Sequence, residues 1–482
     1  MTSTVLSGLE PAAVFHWFEQ ISAIPRGSGH TAAISQFCAD FAAQRGLRCC
    51  RDRTNSVVLY KDASPGYEDH PAVILQGHLD MVWEKTADCD LDFRTQGLRL
   101  AVDGDQIYAQ GTTLGGDNGI AIAYALALLD DPDAIHPPLE VLLTADEETD
   151  MAGAEALDPL LLRGRRMVNL DSEEEGVFTV SCAGGVTATI ALPYDTAPAA
   201  GYLYRLRVTG LLGGHSGSDI DKGRANAILL LGQALRLLDH VTPLRVASLR
   251  GGGRDNVIPR EAEALFVAPP DKEQSLAAAA EAFAAELREA YPVETGLTIT
   301  CTPDNTGVAE IWDRPSTQRF LRLLTEVPNG VQSRSRSMEG LVETSLNLGI
   351  LRVAGDTVKL TFAIRSSLER DKRYLTAVLQ GIAQQSNGLY FDLGDYPAWE
   401  YRETSPLRDI AVEVYRQQYG REPQVVSIHA GLECGVLSKK LPGLDCISLG
   451  PNLFDVHTPQ ERMSIASVAR TWDYLRALLK AL

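Results

Sequence analysis

The sequence feature that most restricts the fold is an apolar run, Val73-Ile74-Leu75, that ends in Gln76-Gly77-His78-Leu79-Asp80. A strand that releases a histidine and an aspartate at its carboxyl end presents two metal-binding groups where open α/β sheets gather their ligands. Two residues apart on an extended chain, the two side chains share a face. Groups of the same chemistry follow at wide intervals: Asp117 within Gly115-Gly116-Asp117-Asn118-Gly119, the pair Glu147-Glu148, Asp171, and a late His457. Imidazole nitrogen and carboxylate oxygen are the donors a zinc-like ion takes at neutral pH. For His457 to meet His78, the C-terminal segment must fold back onto the N-terminal one.

Each position has an ordinary reading by itself. His78 could be a surface histidine beside a turn, Asp117 a helix cap, and Glu147-Glu148 part of a solvated acidic turn with Asp146 and Asp150. Asp171 stands just before the acidic run Glu173-Glu174-Glu175, and a loop histidine such as His457 is most often simply exposed. Together, all of these positions fall at strand ends or turns of one α/β pattern, and that coincidence favours a two-metal hydrolase site. Adjacent residues point in different directions, so of Glu147 and Glu148 one can bind metal while the other acts on water as general base. Asp80 suits the task of accepting the second ring N–H of a ligating histidine.

Helix and strand patterns alternate through the first part of the chain. Leu9 to Ala23 and Thr31 to Gly46 read as helices, the second capped by Thr31. Strands are expected at Val57 to Tyr60, Val73 to Leu75, Leu139 to Thr144 and Met167 to Leu170, with helices at Ile120 to Leu129 and Ala152 to Leu161. After Gly184-Gly185 the pattern changes to longer strands with one polar face and strong helices such as Asn226 to Leu238, Ser275 to Ala290 and Thr317 to Thr325, which suggests an antiparallel sheet backed by helices. Near Trp399 the first pattern resumes, with helices at Leu407 to Gln418 and Ile465 to Leu479. The expectation is a discontinuous α/β domain, 1–185 and 398–482, interrupted by an inserted domain, 186–397.

With 482 residues, 45% of them hydrophobic, the chain can bury two or three cores. Its net charge of -19 argues against a general nucleic-acid or anionic-membrane binder. The eight cysteines form no CxxC pair and are expected to be reduced thiols. Met1 to Gln20 lacks the pattern of a signal peptide, and no apolar stretch is long enough to cross a bilayer, so a soluble cytoplasmic protein is expected.

Longer stretches carry a resemblance. Gln76-Gly77-His78-Leu79-Asp80-Met81-Val82, Gly111-Thr112-Thr113-Leu114-Gly115-Gly116-Asp117-Asn118-Gly119, Asn169-Leu170-Asp171-Ser172-Glu173-Glu174-Glu175-Gly176, Gly213-Gly214-His215-Ser216-Gly217 and His429-Ala430-Gly431-Leu432-Glu433-Cys434-Gly435 span nearly the whole sequence. In them the chain resembles the co-catalytic di-zinc peptidases that include carboxypeptidase G-like and aminoacylase-like enzymes, most closely the aminoacyl-histidine (Xaa-His) dipeptidases. The resemblance implies a three-layer α/β zinc-peptidase domain with an inserted α+β lid domain through which the protein forms a homodimer. It implies two divalent ions, zinc or alternatively manganese or cobalt, with His78 and Asp171 on one, Glu148 and His457 on the other, and Asp117 bridging both. Glu147 would be the general base, Asp80 would orient His78, and the Asp117–Asn118 peptide would be cis. His215 would stabilise the carbonyl oxyanion, while Asn256 and Arg365 would hold a small peptide substrate, Arg365 by its free carboxylate.

The sequence departs from the family pattern at Asp146 and Asp150, acids expected to raise the pKa of Glu147, and at the Gly-rich Gly251-Gly252-Gly253 before Asn256. Other readings are an N-acyl amino acid deacylase using the same residues, a non-catalytic metal-binding homologue, and a two-metal phosphoesterase. Glu147 and Asp80 weigh against the second, because a purely structural metal site needs neither. The third should carry a basic phosphate cradle near the ligands, and little of one is evident.

Overall fold

A computed structural model describes residues 5–307, 310–338 and 340–482. The chain forms two compact units. The first comprises Met1–Cys182, Tyr401–Ser427 and Leu432–Leu482, and the second comprises Ala183–Glu400 and Ile428–Gly431.

The first unit is built on an eight-stranded sheet. Its order is Arg48–Arg51, Val57–Lys61, Leu139–Thr144, Val73–His78, Arg166–Asn169, Asp445–Ser448, Val177–Cys182, Gln424–Ile428. Val73–His78 and Leu139–Thr144 are buried at every position, as central strands covered on both faces must be. Val73–His78 runs parallel to Leu139–Thr144 and to Arg166–Asn169, and Asp445–Ser448 runs parallel to Arg166–Asn169. The carboxyl ends of these strands therefore open at one edge. The helix Gly116–Asp130 is apolar nearly all round and buried accordingly. Tyr124 on it donates its hydroxyl proton to the carbonyl of Val468 at 2.9 Å, tying it to the helix Ile465–Ala481.

A second, four-stranded sheet joins Leu453–Phe454, Arg462–Ser464, Gln106–Ala109 and Leu100–Asp103. Its first two strands pair antiparallel and hold the loop 455–461, which contains His457, between them.

Among the described residues, the second unit is built on an antiparallel sheet of nine strands, with a separate two-stranded sheet of Gly214–His215 and Val257–Ile258. Eight of the nine lie in the order Thr298–Pro303, Tyr202–Thr209, Ala262–Ala268, Arg245–Gly251, Val342–Ala354, Thr357–Ser366, Gly184–Pro193, Leu389–Tyr396, and Gly330–Arg334 also pairs with Val342–Ala354. Amphipathic helices back it. In Ala227–Val241, Leu231, Leu235 and Leu238 are buried, and Asn226 caps the helix by accepting the N–H groups of Ile228 and Leu229 at 3.0 and 3.4 Å. The fold is thus an α/β unit accompanied by an α+β unit.

Two local expectations fail. The stretch read as one helix from Ala152 to Leu161 is a short helix, Ala152–Ala156, and a separate 3-10 turn, Pro159–Leu161. Pro159 cannot continue a helix, and Asp158 starts the new turn by accepting the N–H of Leu160 at 3.0 Å. Thr31 precedes the helix Ala32–Gln44 but makes no side-chain cap bond; its hydroxyl instead accepts from Asn55 Nδ2 at 3.4 Å. Among the described residues no helix is long and apolar enough to cross a membrane.

Candidate functional site

The parallel strands deliver the candidate residues to one edge of the first unit. His78 ends its strand and lies beside Thr144 in register, while Gln76 lies beside Asn169, so His78 and Asp171 leave neighbouring strands together. Gly77 permits the close packing this requires. A Cβ there would stand 2.4 Å from Asn118 Oδ1 and 2.5 Å from the Ala121 methyl. Asn118 uses that closeness: its Oδ1 accepts the N–H of His78 at 3.1 Å, and its Nδ2 donates to the carbonyl of Leu170 at 2.8 Å. The preceding peptide, Asp117–Asn118, is cis.

Asp117 lies between two histidines brought from opposite ends of the chain. Its Oδ1 is 3.1 Å from His78 Nε2, which is also 3.4 Å from Asp171 Oδ1. Its Oδ2 is 3.1 Å from His457 Nε2, which is 3.0 Å from Glu148 Oε1. Each carboxylate oxygen of Asp117 thus faces a different imidazole with a different carboxylate partner. His78, Asp117 and Glu148 offer ligand atoms that all lie within 4.8 Å of one another. His457 has a positive φ of 62°, an uncommon conformation for a side-chain-bearing residue and one typical of functional loops.

On the other side of His78, Asp80 Oδ1 stands 3.3 Å from Nδ1. Asp80 is itself held by Ser28 Oγ at 2.8 Å and by the N–H groups of Glu147 and Glu148 at 3.1 and 3.3 Å. One carboxylate therefore faces the histidine ring and also fixes the turn that carries the glutamate pair. These interactions with His78 come after burial as causes of the Asp80 pKa. Burial would raise it, but the His78 and Ser28 contacts prevail and bring it down to about 2.

The field in the cluster is strongly negative. Burial disfavours the charged form of His78, yet Asp171, Asp117 and Asp80 hold its pKa well above the usual value. Hydrogen bonds to Asp117 and Glu148 raise His457 to about 11. Asp171 is pushed up to about 6, first by burial. A group of carboxylates that keeps protons on two imidazoles is one that would also favour cations in their place. Glu147 is partly buried beside these groups. Burial raises its pKa well above the usual range, and Asp171, Glu433 and Glu148 add to the rise against the opposing effect of His78. The acids that matter are therefore these, rather than the sequence neighbours Asp146 and Asp150.

Several residues at this site escaped sequence reasoning. Glu461, 2% exposed, accepts the backbone N–H groups of Leu114, Gly115, Gly116 and Asp117 at 2.7, 2.9, 2.8 and 3.3 Å. Arg26, 1% exposed, donates to the carbonyls of Leu79 at 3.1 Å, Asp80 at 2.9 Å and Gly115. Gly115 has φ 63°, and a Cβ there would meet Arg26 Nη2 at 2.5 Å. Glu433, fully buried, accepts from Gln76 Nε2 at 2.6 Å and Thr144 Oγ1 at 2.5 Å, and Gln76 Oε1 in turn accepts from Asn169 Nδ2 at 2.5 Å. Gln76, Asn169 and Glu433 stand in stretches that carry the family resemblance without a role being read for them, and Glu461 is a carboxylate four residues after His457 in the same loop. Arg26 gave no signal, because its partners are backbone atoms distant in sequence.

The remaining candidates lie in the second unit. His215 pairs in register with Val257, and Asn256 accepts the N–H of Ser216 at 2.9 Å through its carbonyl. His215 Nδ1 accepts the N–H groups of Gly217 and Ser218, each at 3.3 Å, which leaves the proton on Nε2. Burial and the charge of Arg365 lower the His215 pKa, so the ring is a neutral N–H donor at pH 7. Arg365 lies across from Ser345 on one side and Gly185 on the other, and its Nη1 donates to the Tyr396 hydroxyl at 3.3 Å.

Comparison with known proteins gives a consistent result. Residues 74–481 match the model of peptidase family M20/M25/M40. The chain is 36% identical over 478 residues to the cytosol non-specific dipeptidase of Escherichia coli K12, covering 98% of each. It superposes on the crystal structure of the aminoacylhistidine dipeptidase of Vibrio alginolyticus with a TM-score of 0.92 and 37% identity, covering 99% of this chain and 98% of that one. The aminopeptidase PepT of Bacillus cereus, 13% identical with a TM-score of 0.56 over 98% of this chain and 99% of that one, shares the fold.

Proposed function

The chain belongs to the M20/M25/M40 peptidase family and is a metallopeptidase, and from that membership we propose that it hydrolyses dipeptides with a free C-terminus, Xaa-His dipeptides of the carnosine type among them, in the cytoplasm. One observation carries this reading: the two oxygens of Asp117 face two separate imidazole–carboxylate pairs. The donors are all imidazole and carboxylate, a set that fits two divalent cations. His78 and Asp171 would hold one ion, His457 and Glu148 the other, and Asp117 both. When bound, such ions supply Lewis acidity and make water a nucleophile at neutral pH, with zinc, manganese and cobalt all suited to these donors.

The protein's own groups account for the proton traffic. Glu147, with its raised pKa, takes a proton from the attacking water and passes it to the leaving amine. Asp80 keeps Glu147 in place through the backbone N–H and keeps the His78 ring in one orientation. By family likeness, the Nε2–H of His215 is assigned to the carbonyl oxygen as negative charge develops there, and Asn256 and Arg365 to the substrate, Arg365 to its carboxylate by charge-assisted hydrogen bonds. A homodimer formed through the second unit is likewise proposed on that likeness.

The test is a comparison of kcat/KM for Xaa-His dipeptides, other dipeptides, C-terminally amidated dipeptides and N-acetyl amino acids. Free dipeptides should lead, and Arg365→Ala should raise KM for them far more than for the amides. Equal or better turnover of N-acetyl amino acids would make the protein a deacylase. Metal binding without turnover of any substrate would make it a non-catalytic homologue.

A further inference from the structure

The turn that carries Asp117 is gripped from both sides by buried charges of opposite sign. On one side the Glu461 carboxylate accepts the N–H groups of the consecutive residues Leu114, Gly115, Gly116 and Asp117 at 2.7–3.3 Å. Successive N–H groups converging on one anion form a concave backbone cradle, here filled by the protein's own side chain. On the other side Arg26 donates to the Gly115 carbonyl of this same turn and to the carbonyls of Leu79 and Asp80, where the strand bearing His78 ends. Both side chains are withdrawn from solvent, and each neutral backbone partner is worth more to a full charge than to a neutral group.

Glu461 also shares its loop with His457, between the paired strands Leu453–Phe454 and Arg462–Ser464. One short loop thus supplies the imidazole that faces Asp117 Oδ2 and the carboxylate that shapes the turn from which Asp117 projects. We propose that Glu461, opposed by Arg26, is a positioning residue that sets the Asp117 carboxylate so that both of its oxygens are available to cations at once, making the two ion positions interdependent. This inference rests on the two-metal reading of the site and adds a residue that touches neither ion nor substrate.

Glu461→Gln keeps the shape and removes the charge. Its amide oxygen can accept some of the cradle's N–H groups, but its amide nitrogen must then point donors at the others. Glu461→Ala provides a second variant that presents no wrongly placed donor. The measurement is titration of the metal-free protein with cobalt(II), followed by calorimetry and by the visible absorption of the bound ion. Wild type should take up two equivalents. Both variants should lose at least tenfold in affinity across both equivalents, with altered visible bands and kcat reduced in parallel, while KM changes little.

Metal-free melting temperature is recorded alongside. A lowered melting temperature with two wild-type cobalt equivalents and unchanged spectra would make Glu461 merely structural and overturn the proposal. Loss of one equivalent with the other untouched would overturn the interdependence. Should wild type itself bind a single cobalt, the two-metal reading fails instead, and the two failures are distinguished by the wild-type titration alone.

Discussion

Glu147 illustrates how one position acquires its chemistry from its surroundings. Its backbone N–H is fixed by Asp80, so the side chain projects without being pinned, and burial beside other carboxylates strengthens its hold on a proton. A base that must both accept and return a proton near neutrality benefits from such a shift. Glu147→Gln should therefore lower kcat by roughly 10²–10⁴-fold while binding metal as wild type does, since Glu147 is not among the five proposed ligands. Turnover near that of wild type would remove it from the role of base. The meeting of His78, Asp117, Glu148, Asp171 and His457 was legible in the sequence because all of them fall at strand ends or turns of one α/β pattern, although each has an ordinary reading by itself. Arg26 and Glu461 were not, since an arginine near the N-terminus and a glutamate in a loop have no distinctive pattern until their backbone partners are known.

At the scale of the elements, the three neighbouring strands that lead to His78, Glu147-Glu148 and Asp171 are tied just behind the site by Gln76, Thr144 and Asn169, joined to Glu433 at the start of the helix Glu433–Lys440. Burial pushes the Glu433 carboxyl up to about 8, so in the metal-free protein it carries its proton at neutrality. The folded state then binds more protons than the unfolded state between the ordinary glutamate pKa and about 8, and stability falls as pH rises through that window. Glu433→Gln, neutral at every pH, should melt progressively higher relative to wild type from pH 5 to pH 8 when both are metal-free. A constant difference across that range would show that Glu433 does not titrate there.

The central strand Val73–His78 was legible because burial on both faces leaves an unbroken apolar run, Val73-Ile74-Leu75, at its start. The edge strand Leu389–Tyr396, largely exposed and containing two aspartates and a glycine, gave no such run and was missed. The break at Pro159 was written in the sequence but was outweighed by the surrounding alanine and leucine.

At the scale of the whole molecule, the proposed ligands come from the chain segments Met1–Cys182 and Leu432–Leu482 of one unit, and bound ions would therefore clamp segments that are otherwise joined by packing and hydrogen bonds. A ligand that binds only the folded state adds about 4 kcal/mol at a thousandfold excess over its Kd. Spread over a unit of this size, that corresponds to roughly 8–16 °C in melting temperature. Chelation should lower the first unfolding transition by an amount of this order, and re-addition of zinc or cobalt should restore it. An unchanged melting curve would mean that metal does not bridge the segments. The change of pattern after Gly184-Gly185 and its reversal near Trp399 were visible because buried parallel strands and half-exposed antiparallel strands differ in periodicity. The assignment of Ile428–Gly431 to the second unit was not visible, because a four-residue segment has no periodicity to read.

His457 lies only a short way before the final helix, Ile465–Ala481, whereas its counterpart His78 closes the third strand of the chain. On the two-metal reading, the imidazole for the second ion position comes from a loop far along the chain from the strand that supplies the first. A premature stop upstream of His457 should therefore leave a chain that retains His78, Asp117 and Asp171 but whose second ion position added metal does not restore.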